Sequence, residues 1–485
     1  MKFSNTYVEL GDTFYQTAQP EKVAQPSLLL WNDQLAEELN LSAALCQDPT
    51  LQTEYFSGNQ LPVGANPVAL AYAGHQFGHF NPQLGDGRAH LLGEIIDSNN
   101  IRRDIQLKGS GATYFSRGGD GRCGIKPAVR EYIMSEAIHA LGVPTSRCLA
   151  VVTSGESIFR DHQAVPGAIV TRVASSHIRV GTFQYFATRD DIPSLKALTD
   201  YSIKRHFPEI TTGQEGYIAD FLEAVIDKQI TMVVEWMRVG FIHGVMNTDN
   251  TPICGETLDF GPCAMMGVYH PHTVFSSIDR NGRYAYGKQP SIAQWNMVRL
   301  AECLLPLVDE DTDKAIAQLQ PLLQQFTERF EKAYTHMLNN KLGLTTDTAA
   351  NNELLSQLLA KMQELELDYT QTFDLLANSL TDQTIEQQVR ALLTDWYANW
   401  RQQLSQAHLS DIDTQQHMRK YNPLVIPRNH HVETVLSECE RAGNNTAVEH
   451  FLKVLRSPYA TTADTAQFQT LPSDNDANYK TFCGT

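Results

Sequence analysis

Two segments, His243-Gly-Val-Met-Asn-Thr-Asp249-Asn250 and Leu258-Asp259-Phe260-Gly261, constrain this chain more than any other feature. Asn250 offers a carboxamide oxygen, and nine residues later Asp259 offers a carboxylate. These are the hard oxygen ligands that Mg²⁺ prefers while triphosphate oxygens complete its octahedron.

An asparagine beside an aspartate, followed by Asp-Phe-Gly, is how kinase-like folds hold a divalent metal on a nucleoside triphosphate. The loop departs from the usual form. In a His-Arg-Asp loop the base stands two residues after the histidine, and that position here is Val245. The nearest carboxylate is Asp249.

A lone Asp-Phe-Gly is a weak signal, but its partners occur upstream in order. Gly85-Asp86-Gly87-Arg88 holds two glycines that permit tight turning and close backbone approach to phosphate. Ala89 to Ile96 reads as a strand, and Asp104-Ile-Gln-Leu-Lys108 as a second one ending in a lysine suited to phosphate. A further glycine-rich loop follows, through Gly109-Ser-Gly111 to Ser116-Arg-Gly-Gly-Asp120-Gly121-Arg122. The next helix is predicted from Pro127, a first-turn residue, to a stop at Gly142 and Pro144. Val129, Ile133, Ala137 and Leu141 recur at spacing four along it, one buried stripe. Glu131 and Glu136 are both candidates to pair with Lys108, and order and spacing favour Glu131.

Residues 70 to 300 resemble the selenoprotein O family of protein adenylyltransferases, also called the YdiU family. The resemblance rests on Gly74-His-Gln-Phe-Gly78, Leu84-Gly-Asp-Gly-Arg88, Gln106-Leu-Lys-Gly-Ser-Gly111 and Val129-Arg-Glu-Tyr-Ile-Met-Ser-Glu-Ala137. It continues through Thr171-Arg-Val-Ala-Ser-Ser-His-Ile-Arg179, His243 to Asn250 and Asp259-Phe-Gly-Pro-Cys263. Beyond these, Gly282-Arg-Tyr-Ala-Tyr-Gly287, Gln289-Pro290, Gln294-Trp-Asn296, Asn422-Pro423 and Arg428-Asn429 extend it over nearly the whole chain.

That resemblance implies an α+β, protein-kinase-like two-lobed fold in which ATP is bound flipped, with its α-phosphate facing the acceptor. The implied reaction transfers AMP to Ser, Thr or Tyr hydroxyls of protein substrates, the chain itself included, and releases pyrophosphate. Gly85, Gly87, Arg88, Lys108, Asp120, Gly121, Arg172 and Arg179 match the family's ATP-contacting positions. Asp249 matches its proton acceptor, Asn250 and Asp259 its metal ligands, and Glu131 the acidic partner of Lys108. The metal expected is Mg²⁺, with Mn²⁺ as the alternative. Chemistry agrees with these roles: Arg88, Arg172 and Arg179 would surround a triphosphate with planar cations that bind phosphate in pairs of hydrogen bonds. Fixed cations can stabilise the charge that gathers on the leaving group. Two departures, Gly267 for a usual acid and Lys288 for a usual asparagine, bear on the acceptor-binding surface.

Three readings follow: AMP transfer, or UMP transfer if UTP with Mn²⁺ is the donor; conventional γ-phosphoryl transfer; and a nucleotide-binding scaffold without chemistry. The second calls for a carboxylate where Val245 stands. The third leaves unexplained why Lys108, Glu131, Asp249, Asn250 and Asp259 are all present.

A net charge of −17 argues against broad nucleic-acid binding, which depends on accumulated Lys and Arg. No apolar run approaches the roughly eighteen residues of a membrane span, and the start lacks a signal-peptide core. The cytoplasm is the expected compartment.

The expected organisation is an N-terminal extension (1–65) with a short helix from Gln34 to Leu45, a strand-rich nucleotide-binding lobe (66–180), and a catalytic lobe with the metal loop (181–300). A helical C-terminal region (301–456) and an extended tail (457–485) follow. Periodicity predicts helices over Ile218–Gly240, Asn296–Leu307, Lys314–Asn340, Glu353–Leu367 and Ile385–Gln403.

Eight cysteines show no Cys-x-x-Cys or Cys-x-x-His pair, so a structural zinc is not expected. Cys483 lies third from the end, where animal relatives carry selenocysteine, and the resemblance implies a redox role there. A regulatory disulfide with the metal-loop lobe would take Cys263 as candidate partner; a terminal thiol with no partner is the alternative. His243 is expected to hold its loop through hydrogen bonds rather than carry protons.

Overall fold

Along Arg102–Lys108 the polar Asp104, Gln106 and Lys108 alternate with Ile105 and Leu107, so as a strand this segment must show a polar face and an apolar one. The computed structural model describes residues 1–160, 162–406 and 409–482, and this segment forms the middle of its largest sheet. In chain order the strands are β1 (Tyr15–Thr17), β2 (Ser27–Trp31), β3 (Val68–Leu70), β4 (Gly74–Gln76) and β5 (His79–Asn81). They continue with β6 (Ala89–Ile96), β7 (Arg102–Lys108), β8 (Cys123–Gly124), β9 (Arg147–Arg160) and β10 (Gln163–Ala174). The sheet order is β1-β3-β6-β7-β10-β9-β2, with β8 on β10 and antiparallel pairing throughout, while β4 and β5 form a separate hairpin.

On the back of the sheet, Ile105 and Leu107 join Leu92, Ile95, Ile169 and Val173 in one core. Leu35, Leu45 and Phe56, from the helices Asp33–Glu38, Ala43–Cys46 and Pro49–Ser57, close it. Residues 1–65 thus supply both edge strands and the cover of the back face. The helix expected from Gln34 to Leu45 is broken, because Asn40 takes a left-handed φ of 52°, a conformation asparagine tolerates better than most residues.

Across the front packs the helix Ile125–Ala140, close to the predicted span, with Val129, Ile133 and Ala137 buried. The helix Tyr217–Val239 ends at Gly240, with φ 75°, and runs into β11 (Phe241–Ile242), paired with β12 (Ala264–Met265). Gly240 is the left-handed stop that helices commonly use.

The remainder is largely helical, so the chain is α+β: an N-terminal antiparallel sheet followed by a helical C-terminal region. Two predicted helices prove to be pairs. Lys314–Asn340 divides into Thr312–Gln324 and Phe326–Lys341, and Ile385–Gln403 into Gln383–Leu393 and Asp395–Gln406. The second break lies at Thr394, with φ 46°. It turns Trp396 and Trp400 inward, where their indole nitrogens donate to the Leu354 and Leu342 carbonyls at 2.9 Å each. The tail, expected to be extended, is docked in its described part: Thr481 pairs with Ser276, and its hydroxyl donates to the Pro262 carbonyl at 2.7 Å. Among the described residues no helix is long and apolar enough to cross a membrane.

Candidate active site

The polar face of β7 is where charge concentrates. Lys108 pairs backbone-to-backbone with Ala89 of β6 and Val170 of β10, and Gln106 with Arg172. Lys108 and Arg172 therefore emerge side by side from the middle of the sheet, facing the helix Ile125–Ala140. Lys108 Nζ donates to Glu131 Oε2 at 2.6 Å and to Asp259 Oδ1 at 2.5 Å. Arg172 Nε donates to Glu131 Oε1 at 2.7 Å, its NH2 also bonds that oxygen, and NH2 lies 3.6 Å from Asp259 Oδ1. Glu136, the other candidate, is taken up by Arg147 at 2.6 and 2.7 Å. Helical phase explains the choice, since five residues along a helix turn the side chain to a different direction.

Burial alone would raise the Asp259 carboxyl, but Lys108, Arg172 and Arg88 together hold it well below the usual carboxylate range. Glu131 is lowered in the same way, burial being outweighed by Arg172 and Lys108. Both acids are ionised, and the cluster is a preformed set of opposed charges.

Arg179 forms the next tier. Its guanidinium lies 4.1 Å from the Tyr72 ring centroid, 3.7 Å from Asp86 Oδ1 and 3.3 Å from the Asp249 carbonyl. Asp86 is itself fixed by Gln106 Nε2 at 3.0 Å and the Leu70 amide at 3.3 Å. Arg172 and Arg179, seven residues apart in sequence, thus reach one cleft because the first leaves β10 and the second precedes the helix Val180–Ala187.

Asp249 enters the cleft from a short turn, Thr248–Asn250. Burial pushes its carboxyl up to about 6, against the opposing influence of Arg179 and Gln76. Oδ2 accepts from Gln76 Nε2 at 3.3 Å, while Oδ1 is buried without a hydrogen-bond partner. His243 anchors this loop: Nε2 contacts the Leu258 carbonyl at 2.9 Å and Nδ1 accepts from the Val245 amide at 3.3 Å. That arrangement calls for a neutral ring with its proton on Nε2, in keeping with the lowering of its pKa by burial.

Asn250 Nδ2 donates to the Val245 carbonyl at 3.1 Å, leaving the amide oxygen without a hydrogen bond among the described residues. With an oxygen of Asp259 it makes two oxygen donors on one cleft wall. Among the described residues no cluster of three or more His, Cys, Asp or Glu could hold a metal. Two protein oxygens suit Mg²⁺, which keeps waters and takes its remaining ligands from substrate phosphates, so this donor set fits such an ion.

The cleft is about 290 Å³, and Gly85, Gly87, Arg88, Asp120 and Gly121 line it with the groups above. Asp120 is gripped by Arg160, whose NH1 and NH2 each lie 2.8 Å from a carboxylate oxygen. Gly121, with φ 65°, passes so close to Gly111 that an added Cβ would fall 2.1 Å from its carbonyl carbon and oxygen. Gly121→Ala is therefore expected to displace the loop 116–122 and weaken nucleotide binding by about tenfold or more. Titration with ATP, alongside a melting curve to check the fold, measures this.

The site residues expected from the sequence line this one cleft, except Glu131, which is buried behind it against Lys108 and Arg172, and the two cysteines. Cys263 is a buried free thiol whose Sγ lies 3.2 Å from the Phe260 carbonyl, pushed up to about 12 by burial. Cys483 lies outside the described residues. Tyr72, Asp86 and Arg160 line the cleft without having been singled out as site residues, and Gln76 reaches Asp249 from beside it. Only Asp86 carried a local sign, its place between two glycines.

The sequence pattern of a known family, described as protein adenylyltransferase SelO, matches residues 1–456. The protein nucleotidyltransferase YdiU of Teredinibacter turnerae is 52% identical across the whole of both chains. That of Pseudoalteromonas translucida is also 52% identical over both full lengths, and that of Bradyrhizobium sp. strain ORS 278 is 47% identical over 99% or more of each.

Proposed function

The chain belongs to the SelO family of protein adenylyltransferases and is a protein nucleotidyltransferase, and on that footing we propose that its cleft transfers AMP from ATP to hydroxyls of Ser, Thr or Tyr on protein substrates. One observation carries the choice of residues. Asp249 stands in the cleft wall, whereas Val245, at the position of the usual kinase base, is buried in the main apolar core. The layout supports reading the sheet and the helix Ile125–Ala140 as the nucleotide lobe of a kinase-like pair, and the Tyr217–Val239 helix with its following loops as the catalytic lobe.

In this reading Lys108, Arg88, Arg172 and Arg179 bind the triphosphate and compensate charge as pyrophosphate departs. Glu131 keeps Lys108 and Arg172 oriented, so that little reorganisation is needed when nucleotide arrives. Asn250 and Asp259 would hold Mg²⁺ or Mn²⁺, which when bound supplies Lewis-acid neutralisation of phosphate oxygens. Asp249 accepts the proton of the acceptor hydroxyl, a modest contribution beside positioning. Gly121 and Asp120, the latter held by Arg160, form the lip over the nucleotide.

The test uses ATP labelled separately at the α- and γ-phosphate, incubated with the chain, Mg²⁺ and a protein acceptor, with α-labelled UTP in parallel. Label entering protein from α-labelled ATP alone is the expected result. Label from γ-labelled ATP would make the chain a conventional kinase, and preferential label from UTP would change the donor.

A further inference from the structure

We propose that the hairpin of β4 and β5 is part of the transfer machinery, and that Gln76 is a positioning residue for Asp249. The proposal rests on the reading of Asp249 as proton acceptor. The hairpin stands apart from the main sheet, and its bonds go to the catalytic loop. Three consecutive residues reach three consecutive loop residues. The His75 amide donates to Thr248 Oγ1 at 2.7 Å, Gln76 Nε2 to Asp249 Oδ2 at 3.3 Å, and the Phe77 amide to Asn247 Oδ1 at 3.0 Å.

The contact is braced on both sides. Gln184 accepts from Thr248 Oγ1 at 2.6 Å and meets His75 Nδ1 at 2.8 Å, closing a triangle over the loop. Tyr284 donates its hydroxyl to Asn247 Oδ1 at 2.8 Å, and its ring lies 5.0 Å from that of Phe77.

Backbone geometry points the same way. The two-residue turn between the strands is Phe77-Gly78, with φ of 51° and 86°. Left-handed geometry at both positions suits a tight hairpin, but it normally selects Asn, Asp or Gly at the first. A phenylalanine there is strained and persists only when its surroundings over-determine it. Here those surroundings are Asn247 and Tyr284, so the strain is held by contacts to the catalytic loop. Gly74 permits the approach, since a Cβ at that position would fall 2.7 Å from Asp249 Oδ1.

Gln76 makes the one side-chain hydrogen bond that the Asp249 carboxylate accepts among the described residues. The backbone bonds of His75 and Phe77 place the loop, and the Gln76 amide sets the rotation of the carboxylate within it. Loss of that amide should leave the loop in place with its carboxylate misdirected, which lowers turnover without disturbing the phosphate cations.

Gln76→Met, of similar size but with no donor, tests this in the full chain. At saturating ATP and Mg²⁺ we expect AMP incorporation from α-labelled ATP to fall about 10- to 100-fold, the scale of a small misplacement of a reacting group. The KM for ATP, its dissociation constant and the melting temperature should stay at wild-type values. A Gln76→Met chain with the full turnover rate would overturn the proposal, as would a loss matched by weaker ATP binding or a lower melting temperature. Asp249→Ala is run beside it: if that variant transfers at the wild-type rate, the reading of Asp249 fails, and the proposal with it.

Discussion

Asp259→Ala is expected to lower AMP transfer by about 10³-fold or more, the scale on which an enzyme loses a preorganised electrostatic group. Asp259 engages Lys108 and Arg172 and, with Asn250, offers the cleft its oxygen donors. Its removal leaves two buried cations facing Glu131 alone. Truncating one member of a fully buried ion pair costs about 3–5 kcal/mol. Here the loss in stability should be smaller, because the Asp259 side chain is 30% exposed and Glu131 still holds Lys108. Alanine also lacks the tolerance of aspartate for the left-handed φ of 70° at this position. Asp259→Asn separates the two effects, since it keeps the backbone preference and one oxygen while removing the charge. Initial rates with α-labelled ATP, read against melting temperature, check both variants. A near-normal rate for the folded alanine variant would sink the assignment of Asp259.

Asp249→Ala should reduce turnover by about 10²- to 10⁴-fold, the range for a general base, while the dissociation constant for ATP changes by about twofold or less. The contrast follows from what surrounds the residue. The Asp249 carboxylate is bonded by Gln76 and by no phosphate-directed cation, and Arg179 touches only its backbone carbonyl, which alanine retains. Isothermal titration with ATP and single-turnover transfer measure the two quantities independently. Equal losses in both would place Asp249 among the nucleotide-binding groups instead.

How much of this was legible beforehand depended on whether the signal was local. Lys108 at the end of a short apolar strand, Glu131 on a helix marked by an apolar stripe at spacing four, and Asn250 beside Asp249 are each set by neighbours in sequence. Lys108 and Asn250 meet in one cleft, and Glu131 packs behind Lys108. Arg160 and Gln76 were not legible as site residues, since their partners Asp120 and Asp249 lie 40 and 173 residues away. The helix breaks at Asn40 and Thr394 escaped for a related reason. Periodicity reports which face is apolar, and that face continues across a left-handed residue whose cause is tertiary packing. Residues 1–65 read as an extension because strands of three and five residues carry too little alternation to be distinguished from a loop. The docking of the tail was equally hidden, because its contacts, among them Thr481 on Pro262 and Ser276, Tyr479 on Glu433 and Asp476 on Asn429, are all to residues far away in sequence.

The pairing of β2 with β9 carries a consequence for how the chain is made. Ser27 to Trp31 find their partners at Ala150 to Thr153, so the ribosome must add more than a hundred residues before that edge can close. At typical synthesis rates this is a wait of about 6–25 s. Throughout it, Leu28, Leu29 and Leu30 sit in an unpaired segment of a nascent chain, the kind of exposed apolar strand that chaperones hold. Of the sheet's two edge strands, β1 can pair with β3 once residue 70 is made, so β2 is the later of the two to become safe from aggregation, although it is made well before its partner.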